Sequence, residues 1–336
     1  MQQTRAVAVI NAGGWGTALA VKLANQGYEV RLWARRKELA ARLTAERENA
    51  AYLPGVAIPP NVRITHELST AVRHVDTVIV TVIASFMRDL ARDLAQVLEQ
   101  GTLVLHGAKG LEPDTWKRLS EVLSEELGER LAAPIAVLAG PNHAEEVARS
   151  LPTAAVVACA DPQISARHQA LLSTPWFRVY TNPDVTGVEL CSVAKNVVAI
   201  AAGIGDGLGY GDNGKAALIT RALAELWRLL ERKGGSLATV AGLAGVGDVV
   251  ATCTSRHSRN RWAGEQLGHG RALDDVLAST AMAIEGIPAA RSIVAIARAC
   301  GVEMPICEGV YRILYEGQPP AHALQDLLTR DFASEG

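Results

Sequence analysis

Short apolar runs separated by amphipathic stretches dominate the first half of the chain. Ala6 to Ile10, Glu29 to Trp33, Thr77 to Val82, Leu103 to His106, Ile135 to Ala139, Ala154 to Cys159 and Phe177 to Tyr180 read as strands. The first is apolar at every position, the pattern of a parallel strand covered on both faces. Thr17 to Gln26 reads as the helix that follows it. Asn49 to Pro60, with Tyr52-Leu53-Pro54-Gly55 and Pro59-Pro60, carries turn chemistry and reads as a loop. Thr181-Asn182-Pro183-Asp184 reads as a hinge, and beyond it the pattern is helical with no strand. The expected architecture is α/β with two domains, residues 1–184 and 185–336.

The second half is organised around Val188 to Ala202, an apolar helical run with Lys195 and Asn196 near its middle. An ammonium is expensive to bury, so a lysine embedded there needs a reason. At helical spacing Lys195 shares its face with Cys191, Ser192, Ala199 and Ala202, whose small side chains would leave space around the amine. The alternative is that the amine snorkels to water along its stem. The run is expected to loosen through Gly203, Gly205, Gly207, Gly209 and Gly211, with a new helix starting after Asp212-Asn213 and running through Leu218 to Leu230. Asp248, set among glycines and aliphatics in Thr239 to Thr252, is a carboxylate that calls for a cation. Ser258-Arg259-Asn260-Arg261 places hydroxyl, guanidinium and amide donors side by side, a group suited to gripping phosphate.

The turn after the first strand is Asn11-Ala12-Gly13-Gly14-Trp15-Gly16. A dinucleotide-binding turn reads Gly-x-Gly-x-x-Gly; Gly13 and Gly16 fill its second and third glycine places and Asn11 occupies the first. The backbone N–H groups of Gly13, Gly14 and Trp15 would meet a pyrophosphate at the start of the helix. Arg35 and Arg36, just past the second strand, stand where an acidic residue would bind the ribose of NAD; arginines there accept a 2′-phosphate, so NADP(H) is favoured and NAD(H) is the alternative. Two solvated surface arginines would look the same. Phe86, in the segment after the Thr77 strand, could face a flat ring or belong to the core. Lys109 lies between small residues just beyond a strand end, a place to meet an anionic ligand. Gly140-Pro141 breaks the next strand, and the backbone around Asn142 is expected to face the same crevice; His143 reads as a structural histidine.

Composition narrows the classes. The 336 residues are 49% hydrophobic and 20% charged with a net charge of −2, an ordinary globular profile with no electrostatic case for nucleic acid or an anionic membrane. Five cysteines without a CxxC pair suit reduced thiols in a cytoplasmic protein and offer no metal site. Neither a signal peptide nor a membrane-spanning apolar run is expected.

Over nearly its whole length the chain resembles the bacterial-type NAD(P)-dependent sn-glycerol-3-phosphate dehydrogenases. The resemblance is carried by Trp15-Gly16-Thr17-Ala18-Leu19-Ala20, Lys109-Gly110-Leu111-Glu112, Gly140-Pro141, Gly187-Val188-Glu189-Leu190 and Lys195-Asn196. It continues through Gly207-Leu208-Gly209, Gly211-Asp212-Asn213, Lys215 to Arg221, Gly247-Asp248 and Ser258-Arg259-Asn260-Arg261. It implies an amino-terminal Rossmann-like domain, an all-helical carboxyl-terminal domain, a cleft between them and a cytoplasmic homodimer. It further implies reversible reduction of dihydroxyacetone phosphate to sn-glycerol 3-phosphate, which supplies glycerophospholipid synthesis. Lys195 would transfer the proton, with Lys109 lowering its pKa and Asp248 opposing that shift while aiming the amine. Lys109, Gly140, Asn142, Asp248, Ser258, Arg259 and Asn260 would surround the substrate. Gly14, Trp15, Arg35, Arg36, Lys109, Ala144, Arg259 and Glu285 would touch the cofactor.

The chain departs from the family pattern at Asn11, Gly14, Ile83-Ala84 and Asn142. These changes fall mainly on the cofactor side, and Asn11 is expected to crowd the pyrophosphate turn and weaken binding by on the order of 1 kcal/mol. Two other readings stand beside this one: a related Rossmann dehydrogenase acting on another small 2-hydroxy or 2-keto compound, and a catalytically idle nucleotide-binding sensor.

Overall fold

The computed structural model describes residues 6–131, 133–280 and 282–328. The chain divides into two compact units, the first ending at Glu189 and the second beginning at Leu190. That division lies inside the helix Val185–Gly207 rather than at the Thr181 to Asp184 turn.

The strands of the first unit are β1 (Ala6–Ile10), β2 (Glu29–Trp33), β3 (Glu48–Asn49), β4 (Leu53–Ala57), β5 (Val62–Thr65), β6 (Thr77–Val80), β7 (Leu103–His106), β8 (Ala136–Ala139), β9 (Thr153–Ala158) and β10 (Phe177–Asn182). Eight of them form one sheet in the order β10-β9-β8-β7-β6-β1-β2-β5. Every pairing is parallel except β8 with β9. Strand β1 sits inside the sheet, and its side chains alternate between two cores: Val7 and Val9 join one apolar cluster, Ala6, Ala8 and Ile10 the other. That double cover is why the strand is apolar throughout.

Two expectations change here. The segment expected to be a loop, Asn49 to Pro60, contains β4, which pairs antiparallel with β3, and β5 extends the sheet beyond β2. Short strands rich in Pro, Gly and charge carry no clear period-two signal, so pairing decides what pattern could not. The helix after β1 runs Gly14–Asn25, beginning inside the glycine turn.

Lys22 and His168 are among the basic side chains buried in this unit. Lys22, on the first helix, donates to the Leu172 carbonyl and to Gln26 Oε1 (2.8 Å), with its amine 4.8 Å from the Phe177 ring centre. Burial lowers its pKa to about 7. His168, on the helix Pro162–Leu172, is 1% exposed, and neither ring nitrogen has a hydrogen-bond partner. Burial, with a contribution from Arg167, pushes its pKa down to about 4.

Among its described residues the second unit contains helices and no strand. The helix that carries Lys195 does not loosen at Gly203; it continues unbroken to Gly207. The glycines serve a close helix crossing instead. A Cβ at Gly203 would lie 1.9 Å from the Arg261 carbonyl oxygen, and one at Gly264 would lie 2.1 Å from that of Ile200. Only hydrogen fits at these positions, so the helix Arg259–Gly268 lies backbone to backbone against the Lys195 helix. By length and composition Val185–Gly207 could cross a membrane, contrary to the expectation of no such run, but its apolar window is 100% buried inside the protein, as in a core helix.

The neutral burial of His168 sets an acid limit on stability. Its folded pKa of about 4 lies below the ordinary 6.5, so as pH falls from 6.5 towards 4 the unfolded chain takes up a proton that the folded chain refuses. Stability present above 6.5 is therefore lost across that window at up to about 1.4 kcal/mol per pH unit. Urea denaturation of wild type and His168→Phe at pH 7 and pH 5 checks this: the variant loses less stability on acidification, and equal losses would show that His168 is not the group responsible.

Candidate active site

In the second unit the amine of Lys195 is enclosed, not snorkelling: the residue is 3% exposed, and Cys191, Ser192, Ala199 and Ala202 on its face are all buried. Its Nζ lies 2.5 Å from Asp248 Oδ1 and donates to Thr252 Oγ1 at 2.9 Å. Asp248 is 2% exposed, so both charges sit away from bulk water, where their attraction is strong and loss of either partner would be costly. A π-helical turn, Leu243–Gly247, leads into Asp248, the first residue of the helix Asp248–Thr254. Such turns distort a helix locally and recur at functional sites. Thr252 lies one turn after Asp248 on the same face, and its hydroxyl also reaches the Asp248 backbone carbonyl at 2.6 Å. Sequence reasoning missed Thr252, although the four-residue spacing from Asp248 is a readable helical signal.

Beside this pair, Asn196 and Asn260 are joined amide to amide: Asn260 Nδ2 donates to Asn196 Oδ1 at 2.9 Å, and Asn260 Oδ1 accepts from the Gly286 N–H at 2.9 Å. Both asparagines are buried. The second bond fixes the start of the helix Gly286–Ala299, directly after Glu285, which is half-buried. Ser258 caps the helix Arg259–Gly268, its Oγ accepting from the Arg261 N–H at 3.2 Å, which leaves its O–H free to turn towards an anion at the helix start. Arg259 is exposed and donates through Nη1 to the Ala283 carbonyl at 2.8 Å. Arg261 pairs with Asp206 at 2.7 Å and so supports the cluster from behind instead of facing a ligand. The structure brings Lys195, Asp248, Ser258, Arg259, Asn260 and Glu285 into one packed unit through the glycine crossing and this amide chain.

In the first unit the glycine turn opens the helix Gly14–Asn25 with Gly13 as its N-cap, and no side chain caps the first-turn N–H groups of Gly14, Trp15 and Gly16. Uncapped N–H groups at a helix start are what a phosphate site requires. Asn11 takes the first glycine's place with φ +94°, and its Nδ2 donates to the Thr81 carbonyl at 3.0 Å. Asn49, fully buried, donates to the Ala12 carbonyl (3.0 Å) and to Thr17 Oγ1 (2.8 Å), tying the turn to the β3–β4 segment. Nothing in the sequence pointed to this role for Asn49.

Arg35 and Arg36 are both exposed, and the Arg35 guanidinium lies over the Phe86 ring at 4.6 Å. Phe86 is 43% exposed and so is no core residue. Trp15 packs its indole on Gly107, where a Cβ would fall 2.7 Å from the indole nitrogen, and Lys109 follows two residues later, half-buried. The segment is pinned by Glu112, which pairs with Arg88 (2.8 Å). Gly140 adopts φ +118°, Asn142 is buried with Nδ2 unpaired, and Ala144 begins the helix Ala144–Ala148 beside Gly14. An unpaired buried donor next to the cofactor turn is suited to receive a ligand oxygen.

At the end of this unit Glu189 is buried and accepts from Arg118 Nη1 and the Ser120 N–H, each at 3.0 Å, with His106 Nε2 3.2 Å away. Burial raises its pKa, but His106, Ser120 and Arg118 outweigh that and hold it below the ordinary carboxylate value. The start of the Lys195 helix is thus anchored to the end of β7 by a charged carboxylate.

Among the described residues no group of His, Cys, Asp and Glu is arranged to hold a metal ion.

Known proteins match the chain along its length. The N-terminus of the NAD-dependent glycerol-3-phosphate dehydrogenase family matches residues 6–165 and its C-terminus residues 184–325. A protein of Chlorobium limicola named glycerol-3-phosphate dehydrogenase (NAD(P)+) is 48% identical over 98% of this chain and 99% of its own. The protein of that name from Moorella thermoacetica is 47% identical over 98% of this chain and 97% of its own. The crystal structure of glycerol-3-phosphate dehydrogenase from Coxiella burnetii superposes with a TM-score of 0.93 at 39% identity, covering 97% of this chain and 99% of that one. The chain belongs to the NAD-dependent glycerol-3-phosphate dehydrogenase family.

Proposed function

We propose that the protein catalyses the reversible, NADPH-dependent reduction of dihydroxyacetone phosphate to sn-glycerol 3-phosphate and so supplies the backbone of glycerophospholipids. One observation carries the chemistry: the buried Lys195 amine held by Asp248 and Thr252, locked by the glycine crossing to the helix that begins with Ser258, Arg259 and Asn260. A proton donor and a phosphate grip on one rigid scaffold suit a small phosphorylated ketone.

Each unit brings part of the reaction. In the first, Gly13, Gly14, Trp15 and Gly16 hold the cofactor diphosphate through backbone N–H groups, Ala144 lines the turn, and Arg35 and Arg36 take the 2′-phosphate that distinguishes NADP(H) from NAD(H). Phe86 holds the Arg35 guanidinium over its ring, and Lys109, Gly140 and Asn142 supply further ligand contacts. The nicotinamide supplies the hydride for C2 of the ketone when bound. In the second unit, Lys195 gives its proton to the ketone oxygen and stabilises the charge growing there. Asp248 keeps that amine protonated and directed, and Thr252 fixes its third dimension. Ser258, Arg259 and Asn260 bind the substrate phosphate. The proposal takes the enzyme to work as a cytoplasmic homodimer.

The direct test is NADPH oxidation by the purified protein with dihydroxyacetone phosphate. Turnover with this ketone and none with unphosphorylated 2-keto acids is expected; the reverse preference would refute the substrate. Lys195→Ala should lower kcat by about two to four orders of magnitude while NADPH still binds, and a wild-type rate in that variant would remove its role. Arg259→Ala should raise KM for dihydroxyacetone phosphate by about 10- to 100-fold, as loss of a charged hydrogen bond does; unchanged constants would contradict the phosphate assignment. Thr252→Val should reduce kcat by about tenfold with KM little changed, and Thr252→Ser should restore it. If the serine variant is as slow as the valine one, the hydroxyl is not what matters.

A further inference from the structure

Asn11 stands where a dinucleotide turn carries its first glycine, and its backbone lies at φ +94°, a region that side chains rarely adopt. Three hydrogen bonds hold Asn11 itself and a fourth ties its neighbour Ile10 to the same threonine. The Asn11 N–H donates to the Trp33 carbonyl (3.1 Å), Asn11 Nδ2 donates to the Thr81 carbonyl (3.0 Å), and Thr81 Oγ1 donates to the carbonyls of Ile10 (3.0 Å) and Asn11 (3.3 Å). The end of β1 is thereby stitched to the ends of β2 and β6. The carboxamide also fills the space over the next glycine, since a Cβ on Gly13 would lie 3.3 Å from Asn11 Nδ2. Gly16 closes the turn from the other side: a Cβ there would fall 2.0 Å from the Asn11 carbonyl oxygen and 2.7 Å from Thr81 Oγ1.

We propose that Asn11 is a positioning residue: its carboxamide, latched to the Thr81 carbonyl, holds the phosphate turn in its binding shape before the cofactor arrives. The inference rests on the reading of Gly13 to Gly16 as the diphosphate seat and reverses the expectation that Asn11 weakens binding by crowding. The reasoning turns on when each free-energy term is met. Backbone strain at φ +94° is present in the free folded protein as well as in the complex, so it belongs to folding and does not set affinity. Freedom of the turn does set affinity, because a loose turn must be ordered as the diphosphate binds. Glycine at residue 11 would relieve the strain but release the latch and restore the widest backbone freedom. The latch also fixes the first helical turn, whose N–H groups no side chain caps, the preorganisation an anion site needs.

The test is a fluorescence titration of the full chain with NADPH, comparing wild type with Asn11→Gly and Asn11→Asp, together with amide hydrogen exchange of residues 11–16 in the cofactor-free protein. In Asn11→Gly, the dissociation constant should rise by about three- to tenfold, the span of one net hydrogen bond. Its turn amides should exchange faster, while kcat at saturating NADPH and KM for dihydroxyacetone phosphate stay at wild-type values. A merely structural role would instead move kcat and KM together. Asn11→Asp, which sets a carboxylate against the Thr81 carbonyl and near the diphosphate, should bind more weakly than Asn11→Gly. NADPH binding in Asn11→Gly that equals or exceeds wild type, or turn amides that exchange no faster, overturns the latch. Gly13→Asp separates the two readings: it abolishes NADPH binding if the turn is the seat, and if it leaves binding intact the seat itself, and the latch with it, is wrong.

Discussion

A buried ammonium beside a buried carboxylate is the interaction on which the second unit depends. Removing both charges from water carries a desolvation penalty that their attraction repays only with close geometry, and a well-packed apolar pair would often be at least as stable. Lys195 and Asp248, 2.5 Å apart and each nearly free of solvent, are therefore poor value as a stability device. Their geometry is what the proposed proton delivery needs, because a carboxylate beside a buried amine favours the charged form that burial alone opposes. Lys22 shows the contrast within the same chain. It too is buried, but among the described residues it meets carbonyl oxygens and aromatic rings and no carboxylate, and its pKa falls to about 7.

Holding such a pair requires a rigid frame, and the frame is built from small residues. Gly203 and Gly264 let the Lys195 helix and the Arg259 helix approach at backbone distance, so two functional groups remote in sequence share one packed scaffold. The π-helical turn before Asp248 and the Asn196–Asn260–Gly286 bonds complete it from the other sides. In the first unit the same economy appears at Gly107, which admits the Trp15 indole next to the segment bearing Lys109. In both places glycine permits contact, and polar side chains then fix the register.

Much of this was legible in the sequence because periodicity and chemistry agreed. The fully apolar β1 run announced a strand covered on both faces, and an acid among glycines called for a cation, while the lysine in its apolar helix could be read either as enclosed or as snorkelling to water. What could not be read were contacts made across the fold. Gly203 looked like a helix breaker because propensity counts the missing side chain, whereas the structure uses that absence for packing. Asn49 gave no sign of holding the phosphate turn, since its partners Ala12 and Thr17 lie more than thirty residues away. Nothing in the sequence singled out His168 and Lys22, which tertiary packing buries. Thr252 alone was within reach, one helical turn from Asp248.

The central claim is that Lys195 delivers the proton to the ketone oxygen while still held by Asp248. A crystal structure of the protein with an oxidised cofactor and glycerol 3-phosphate tests it most directly. The account predicts the Lys195 amine within about 3 Å of the oxygen on C2, with Asp248 still bonded to it and the Arg259 guanidinium on the phosphate. An amine turned away from C2, or a phosphate seated far from Arg259, would contradict it.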